Sequence, residues 1–592
     1  MKRKLLAATA ALPLCLGAAF VSLDAARSSA VPFLDPVSIA RSLCGRNAEG
    51  LSRRRELFVS AAAAYGSAYG TSEESQDWPR LHDAIHYPTG SSSALAQAWF
   101  DQGLADLFNF HHASAVEAFR KAQAADPDCA LCYWAEAYAL GPNINAPMAP
   151  GDNPAALAAA RKAASLKTGD PVTDGLSAAI VQRYAETPPE DRSSLDAAFA
   201  DAMQELADTH PDNDFVLTLA TEANMDTQPW DYWASGGRMP KGRTADSLAN
   251  LETVLRRSPD HIPAIHLFIH MTEASTDPYR AIPYADELRT LAGDLGHLVH
   301  MPSHTYYRVG QYRKSLLSNI DAVATDERLI AEGRASEFYE YGYYVHNVHF
   351  ALTSAQMGGD GATALAMAAK LDTKLPVEMA QTAPWIQPIK AAPYYAQVQF
   401  AEPETILALK DPGDELPFLK SAWHYARGEA FARTGQTEAA FQEAKAIEKL
   451  EVEADFSDLI GGGVPATEVL AVSRLTVEAR AHAHAGELNT AIALMEEAVA
   501  IQETMTYMEP PWWYYPSKQT LAGYLLADGQ TDRAEQVFIE TLAVSPNNAW
   551  VLFGLSEVYA AERDKGSSRY AKRLFDKAWL GDKRHRPNLV NL

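Results

Sequence analysis

Cysteine is scarce, at four in 592 residues, too few for a disulfide framework to hold a chain this long. Positive charge is short as well. Lys and Arg number 51 against 75 Asp and Glu, a formal net charge of −24, which argues against nucleic acid or an anionic membrane as the main partner. Beyond the first 30 residues no run approaches 18 apolar residues, the length a bilayer span needs. No Walker-type Gly loop, dinucleotide fingerprint, Gly-x-Ser-x-Gly elbow or Cys-x-x-Cys-His occurs, so nucleotide, flavin and c-type haem chemistry have no support. Strand signals are few too. What is present is Ala-rich helical periodicity over most of the chain.

The N-terminus has a separate character. Lys2, Arg3 and Lys4 precede a nearly uncharged Ala/Leu-rich run from Leu5 to Leu23, and Ser28-Ser29-Ala30 offers small residues to a peptidase. Residues 1–30 are expected to be a cleaved signal peptide directing the protein to the periplasm or out of the cell, with no membrane attachment afterwards. Pro13 and the small-residue ending favour cleavage over a retained anchor. The mature chain keeps Cys44, Cys129 and Cys132. Cys129 and Cys132 stand three apart at a helix start, and one of them is free to pair with Cys44 in an oxidising compartment. A structural role is expected, since a thioredoxin-like one needs a strand–helix context that is absent.

One phrase recurs: a helix, Gly with a polar residue, then spaced small residues and often Pro. It is clearest in HHASAVEAFRKAQAADP (111–127), GQYRKSLLSNIDAVATD (310–326) and GQTEAAFQEAKAIE (435–448). These segments resemble tetratricopeptide repeats (TPR), which implies an all-α, TPR-like α-solenoid, a right-handed superhelix of antiparallel helix pairs. The expected organisation is a helical cap at 31–94, the solenoid at 95–565 with a His-rich groove at about 215–350, and a tail at 566–592. Aromatic loops at 227–243 and Tyr507–Pro516 interrupt it. WFDQGLADLFNFHHASAVEAF (99–119), AIHLFIHMTEAS (264–275), GHLVHMPSHTYYRVGQY (296–312) and YYVHNVHF (343–350) further resemble a bacterial family of exported TPR-containing proteins. That resemblance implies the fold and the groove and carries no activity.

The histidines fall in register with the repeat. His266 to His300 and His270 to His304 are each 34 residues, one repeat period. Counting from the inter-helix Gly, His266, His270, His297, His300, His304, His346 and His349 occupy positions 2, 5 or 9 of three successive first helices. Residues three or four apart share a helix face, and in TPR proteins this face lines the concave groove. Glu273 falls at position 12, and Glu222, on the preceding repeat, at position 9. Stacked imidazoles repel one another if charged and lack partners if neutral, and a cation resolves both problems. The seven histidines and Glu222 are therefore expected to ligate one or two transition-metal ions, copper or iron ahead of zinc. Glu273 is the expected general base, with Tyr307 and Arg308 beside it to act on substrate. Trp230, Tyr232, Trp233, Trp512 and Trp513 would wall a small-molecule or peptide substrate, and Asn109 and His111 would face the groove mouth. The leading expectation is a metal-dependent oxidoreductase. The alternatives are a zinc-dependent hydrolase, a periplasmic metal carrier, and a non-catalytic scaffold for a peptide or protein partner.

Overall fold

The computed structural model describes residues 85–149, 151–582, 586–588 and 592. The expected signal peptide, Cys44 and nearly all of the 31–94 segment lie outside the described residues. Among the described residues the chain is all-α, with two isolated bridges, Asn143–Ala146 and Trp233–Pro240, and no strand ladder.

The helices come in sequential pairs that pack on each other and on the next pair. They begin with Ala94–Phe108 against His112–Ala125 and continue through Ile262–Glu273 against Ile282–Leu291 and Val345–Gly358 against Gly361–Lys374. Small residues make the close approach possible. A Cβ on Gly103 would run into the Phe119 ring of the paired helix, so the alternation of small and large residues is a packing requirement. This is the TPR-like solenoid. It extends further than expected, because Lys565–Ala578 is a helix that buries Ala571, Leu574 and Phe575 and packs on Ala549–Ala561. The stretch expected to be a tail is the second half of a last pair.

The solenoid closes on itself around its middle helices. From the first pair, the Asn109 side-chain oxygen accepts the backbone N–H groups of His297 (2.9 Å) and Leu298 (3.3 Å). The Gly296–His300 helix has no capping side chain of its own, so a residue almost 190 positions away supplies the cap. From the far end, Trp550 Nε1 donates to the Gln356 carbonyl at 3.0 Å and the Leu580 N–H to that of Gly358 at 2.8 Å. Gly310 has φ +71° and lies where any Cβ would strike the Pro546 carbonyl, so both its turn and this docking need glycine. Both ends of the chain thus touch helices that carry the histidines.

Cys129 and Cys132 form a disulfide at the start of Ala130–Ala139. Neither is left to pair with Cys44, which closes the possibility left open above.

Candidate metal centre

Three helices carry the histidines. Ile262–Glu273 starts at His261, whose Nδ1 accepts the Ala264 N–H. The next runs from Gly296 to Arg308, its hydrogen-bond ladder interrupted at Pro302. Val345–Gly358 follows a six-residue π-helical turn, Tyr339–Tyr344, a feature often found near functional sites. Six of the seven rings converge as two trios, His266/His270/His297 and His300/His304/His346, and within each the ligand nitrogens lie within 4.8 Å of one another.

Glu273 stands between the trios. It lies 2.9 Å from His270 Nδ1 through Oε1 and 2.6 Å from His304 Nδ1 through Oε2. Burial works to raise its pKa, but His304 and His270 outweigh it and hold the carboxyl down at about 2. An ionised carboxylate only accepts, so both Nδ1 atoms carry the proton. At His300, Nδ1 is 2.6 Å from the Asn319 Oδ1, and the Asn319 amide nitrogen is committed to the Ser315 carbonyl. His300 Nδ1 is therefore protonated as well.

With Nδ1 occupied on both rings, the Nε2 atoms of His300 and His304 face each other at 2.8 Å, and His346 Nε2 is 3.2 Å from His300 Nε2. In the other trio His266 and His297 bring their Nε2 atoms to 3.1 Å, and His270 Nε2 is buried without a partner. Facing ring nitrogens of this kind can share a proton or a metal ion. Burial first, and then neighbouring histidines, push His266, His297, His300 and His346 well below their ordinary pKa, which leaves these four rings as neutral nitrogen donors. The His266–His297 and His300–His346 pairs, at 3.1 and 3.2 Å, are spaced for a metal ion, since two ligands about 2.0–2.1 Å from a tetrahedral ion sit about 3.3 Å apart. Glu273 and Asn319 then play the orienting part that carboxylates and amides play behind metal-bound imidazoles.

Each trio is roofed by a phenylalanine. The Phe110 ring lies 4.6 Å from His266 and 4.9 Å from His297, and Phe350 lies 5.2 Å from His300 and 4.9 Å from His304. Phe110 holds φ 56° and Trp230, edge-on to His270 at 5.2 Å, holds φ 65°. Positive φ is costly for such residues, and both positions sit against the centre.

The remaining expectations divide. His349 stands outside both trios and lines the adjoining cavity. Glu222 is not among the ligands: Tyr138, from another hairpin, donates to it at 2.9 Å beside Arg183 and Asp226. Tyr307 is buried against Tyr312 and Phe350, away from the cavity lining. Arg308 donates from Nε to the carbonyl of Glu273 (2.8 Å) and from Nη2 to that of Ser275 (3.3 Å), so it positions the end of the Glu273 helix, and it is not among the cavity-lining residues. Trp230 and Trp512 line the cavity, whereas Tyr232 and Trp513 are core residues and Trp233 donates to the Met271 carbonyl. His111 accepts the Ser336 N–H. Tyr507 and Glu509 were not anticipated. The Tyr507 hydroxyl is 3.0 Å from both Glu273 Oε2 and Glu509 Oε1, and burial pushes the Glu509 carboxyl up to about 8. The only signal in the sequence was that the Tyr507–Pro516 loop is aromatic.

Three further imidazoles make stability acid-sensitive. Burial, with Arg334 and Arg183 adding to it at the first two, lowers His111, His112 and His349 to about 4. Below about pH 6.5 the unfolded chain takes up protons that the folded one refuses, so the stability present above that pH is lost as pH falls toward about 4, by up to about 1.4 kcal/mol per pH unit for each ring. Urea midpoints of the metal-free protein at about pH 7.5 and about pH 5 should differ clearly, the acid one being lower.

No protein-family model and no curated protein matches the chain. Among solved structures it is similar to the TPR domain of P58(IPK), at 14% identity over 80% of this chain and 99% of that one, with a TM-score of 0.20. It is also similar to the APC/C hetero-tetramer Cut9–Hcn1, at 11% over 84% and 95% with a TM-score of 0.24, and to Naa15/Naa10 bound to HypK, at 11% over 82% and 71% with a TM-score of 0.20. The TPR-like architecture stands on the order of this chain's own helix pairs.

Proposed function

We propose that this TPR-like solenoid holds one or two transition-metal ions at its two histidine trios and acts as a metal-dependent oxidoreductase on a small molecule admitted beside them. The observation that carries the reading is the convergence of six imidazoles from three helices as two trios, within each of which the ligand nitrogens lie within 4.8 Å of one another. All-imidazole donors suit copper, iron or zinc. The absence of a thiolate from either trio speaks against a purely structural zinc, and the oxidising compartment proposed for the chain is what favours copper or iron over a hydrolytic zinc site. Glu273 is then the residue that orients His270 and His304, and not a general base with a free lone pair facing substrate. The Cys129–Cys132 disulfide is in keeping with export to an oxidising compartment, which is part of the proposal.

The fold alone fits a non-catalytic scaffold for a protein partner equally well, and that is the second reading. Elemental analysis of protein purified without a His-tag separates the two. One or two equivalents of copper, iron or zinc that resist dialysis support the centre, and metal-free protein at full helicity leaves the scaffold. Glu273→Gln should weaken metal affinity about 10- to 100-fold, the usual effect of losing an orienting carboxylate. An unchanged affinity in a competition titration would remove Glu273 from the centre.

A further inference from the structure

The metal centre borders a cavity of about 250 Å³ whose lining includes His270, His297, His304, His346 and His349. Its other walls are largely aromatic and apolar, among them Trp230, Tyr343, Pro388, Ile389 and Tyr395. Phe338, Trp385 and Met508 also line it, and they are among the few large apolar side chains left substantially exposed, at 50%, 43% and 39%. Apolar surface exposed together around one opening marks a place where an apolar group enters.

The cavity also carries polar atoms that satisfy nothing within the protein. Gln356 is 1% exposed, and neither its Oε1 nor its Nε2 has a hydrogen-bond partner. Glu509 Oε2 and Trp512 Nε1 are likewise buried and unpartnered, and all three residues are in the cavity lining. Buried polar atoms without partners are costly and rare. Gln356 is seven residues beyond His349 on one helix, two turns along the same face and about 10.5 Å away along the axis. Its backbone carbonyl is held by Trp550, so the side chain is set on a fixed frame.

We propose that this cavity binds a neutral molecule with two amide groups and an apolar or aromatic side group, about the size of a blocked amino acid. It rests on the metal reading for the ligand's role as substrate, but not for its binding. An amide carries one donor and one acceptor, which matches the free Nε2 and Oε1 of Gln356. A second amide meets the Trp512 N–H and the free Glu509 oxygen. No Lys or Arg is among the lining residues, so in the chelated protein an anion finds no counter-charge. The side group lies among the aromatic walls, and the end away from Gln356 reaches the histidines.

The test is calorimetric titration of the full-length mature protein, as purified and after chelation, with four probes: N-acetyl-L-phenylalaninamide, phenylacetate, phenethylamine and toluene. The blocked amide should bind tightest of the four. Gln356→Met and Trp512→Phe should each weaken it about tenfold or more while leaving toluene unchanged. Trp512→Phe, a small change in the cavity wall, keeps the test alive if Gln356→Met fails to fold. Equal binding of the amide and toluene, tighter binding of phenylacetate or phenethylamine, no binding of any probe, or an unchanged amide affinity in both variants overturns the inference. Protein that holds no metal as purified and takes none up, yet binds the amide, would sink the metal reading alone. Bound metal without amide preference would sink this inference alone.

Discussion

The His300→Ala/His304→Ala double variant is expected to lose the ion held by its trio and to show no stabilisation by added metal. His300 Nε2 is the shared neighbour, 2.8 Å from His304 Nε2 and 3.2 Å from His346 Nε2, so the double change leaves a single imidazole of three. One neutral nitrogen does not hold a labile divalent ion against water. In the unaltered protein an ion present at about a thousand times its dissociation constant adds about 4 kcal/mol to folding stability. Chelation should therefore lower its melting temperature by several degrees, and re-addition should restore it. The variant is expected to be unresponsive to both treatments. The alanines also take one partner each from Asn319 and Glu273, so the comparison is made between each protein's own metal-free and metal-loaded melts. His349→Ala is the control, since that ring lies outside both trios, and it should keep its metal. Stoichiometric metal in the double variant, measured by elemental analysis with far-UV circular dichroism showing retained helix, would sink the ligand assignment.

The histidine register was legible in the sequence because it is a local property repeated at one period. His266, His300 and their counterparts occupy the same helix face wherever helices of the same length stack in the same way. Glu273 was legible for the same reason, one turn beyond His270. What the sequence hides is closure. Asn109 caps the Gly296–His300 helix, and Tyr507 reaches Glu273 across 234 residues; neither contact leaves a periodic trace. Glu222 shows the converse error. It has the right position in its helix, yet a tyrosine from another hairpin captures its carboxylate, and register within one helix says nothing of that. The last helix was overlooked because Asp564 and the Ala571, Leu574, Phe575 stripe lie past the final recognisable repeat phrase, although Asp564 accepts the Gly566 and Ser567 N–H groups as a cap and the stripe is spaced for burial.

Arg183→Met should cost about 3–5 kcal/mol of stability at neutral pH, the usual result of stranding a buried charge. Arg183 is fully buried, with Nη2 donating to Asp226 Oδ2 at 2.6 Å and to the Pro142 carbonyl at 2.9 Å. Its guanidinium lies 4.8 Å from the centre of the Phe199 ring. Burial raises the pKa of Asp226 and of Glu222, and Arg183 is the cation that opposes this at both. Removing it leaves two acids on the Asp214–Asp226 helix, which packs directly on the helix carrying His266 and His270. The pH dependence gives the cause. A carboxyl whose folded pKa is raised prefers its proton in the folded state, so its penalty is present at neutral pH and shrinks as pH falls toward the unfolded value of about 4. The gap between variant and unaltered protein in urea unfolding should thus narrow between about pH 7.5 and about pH 5, even as both lose stability through their buried histidines. A second change, Asp226→Leu, should recover part of the loss at neutral pH, because it removes one of the two stranded acids. A gap that is constant with pH would mean that the loss comes from packing of the long side chain and not from its charge.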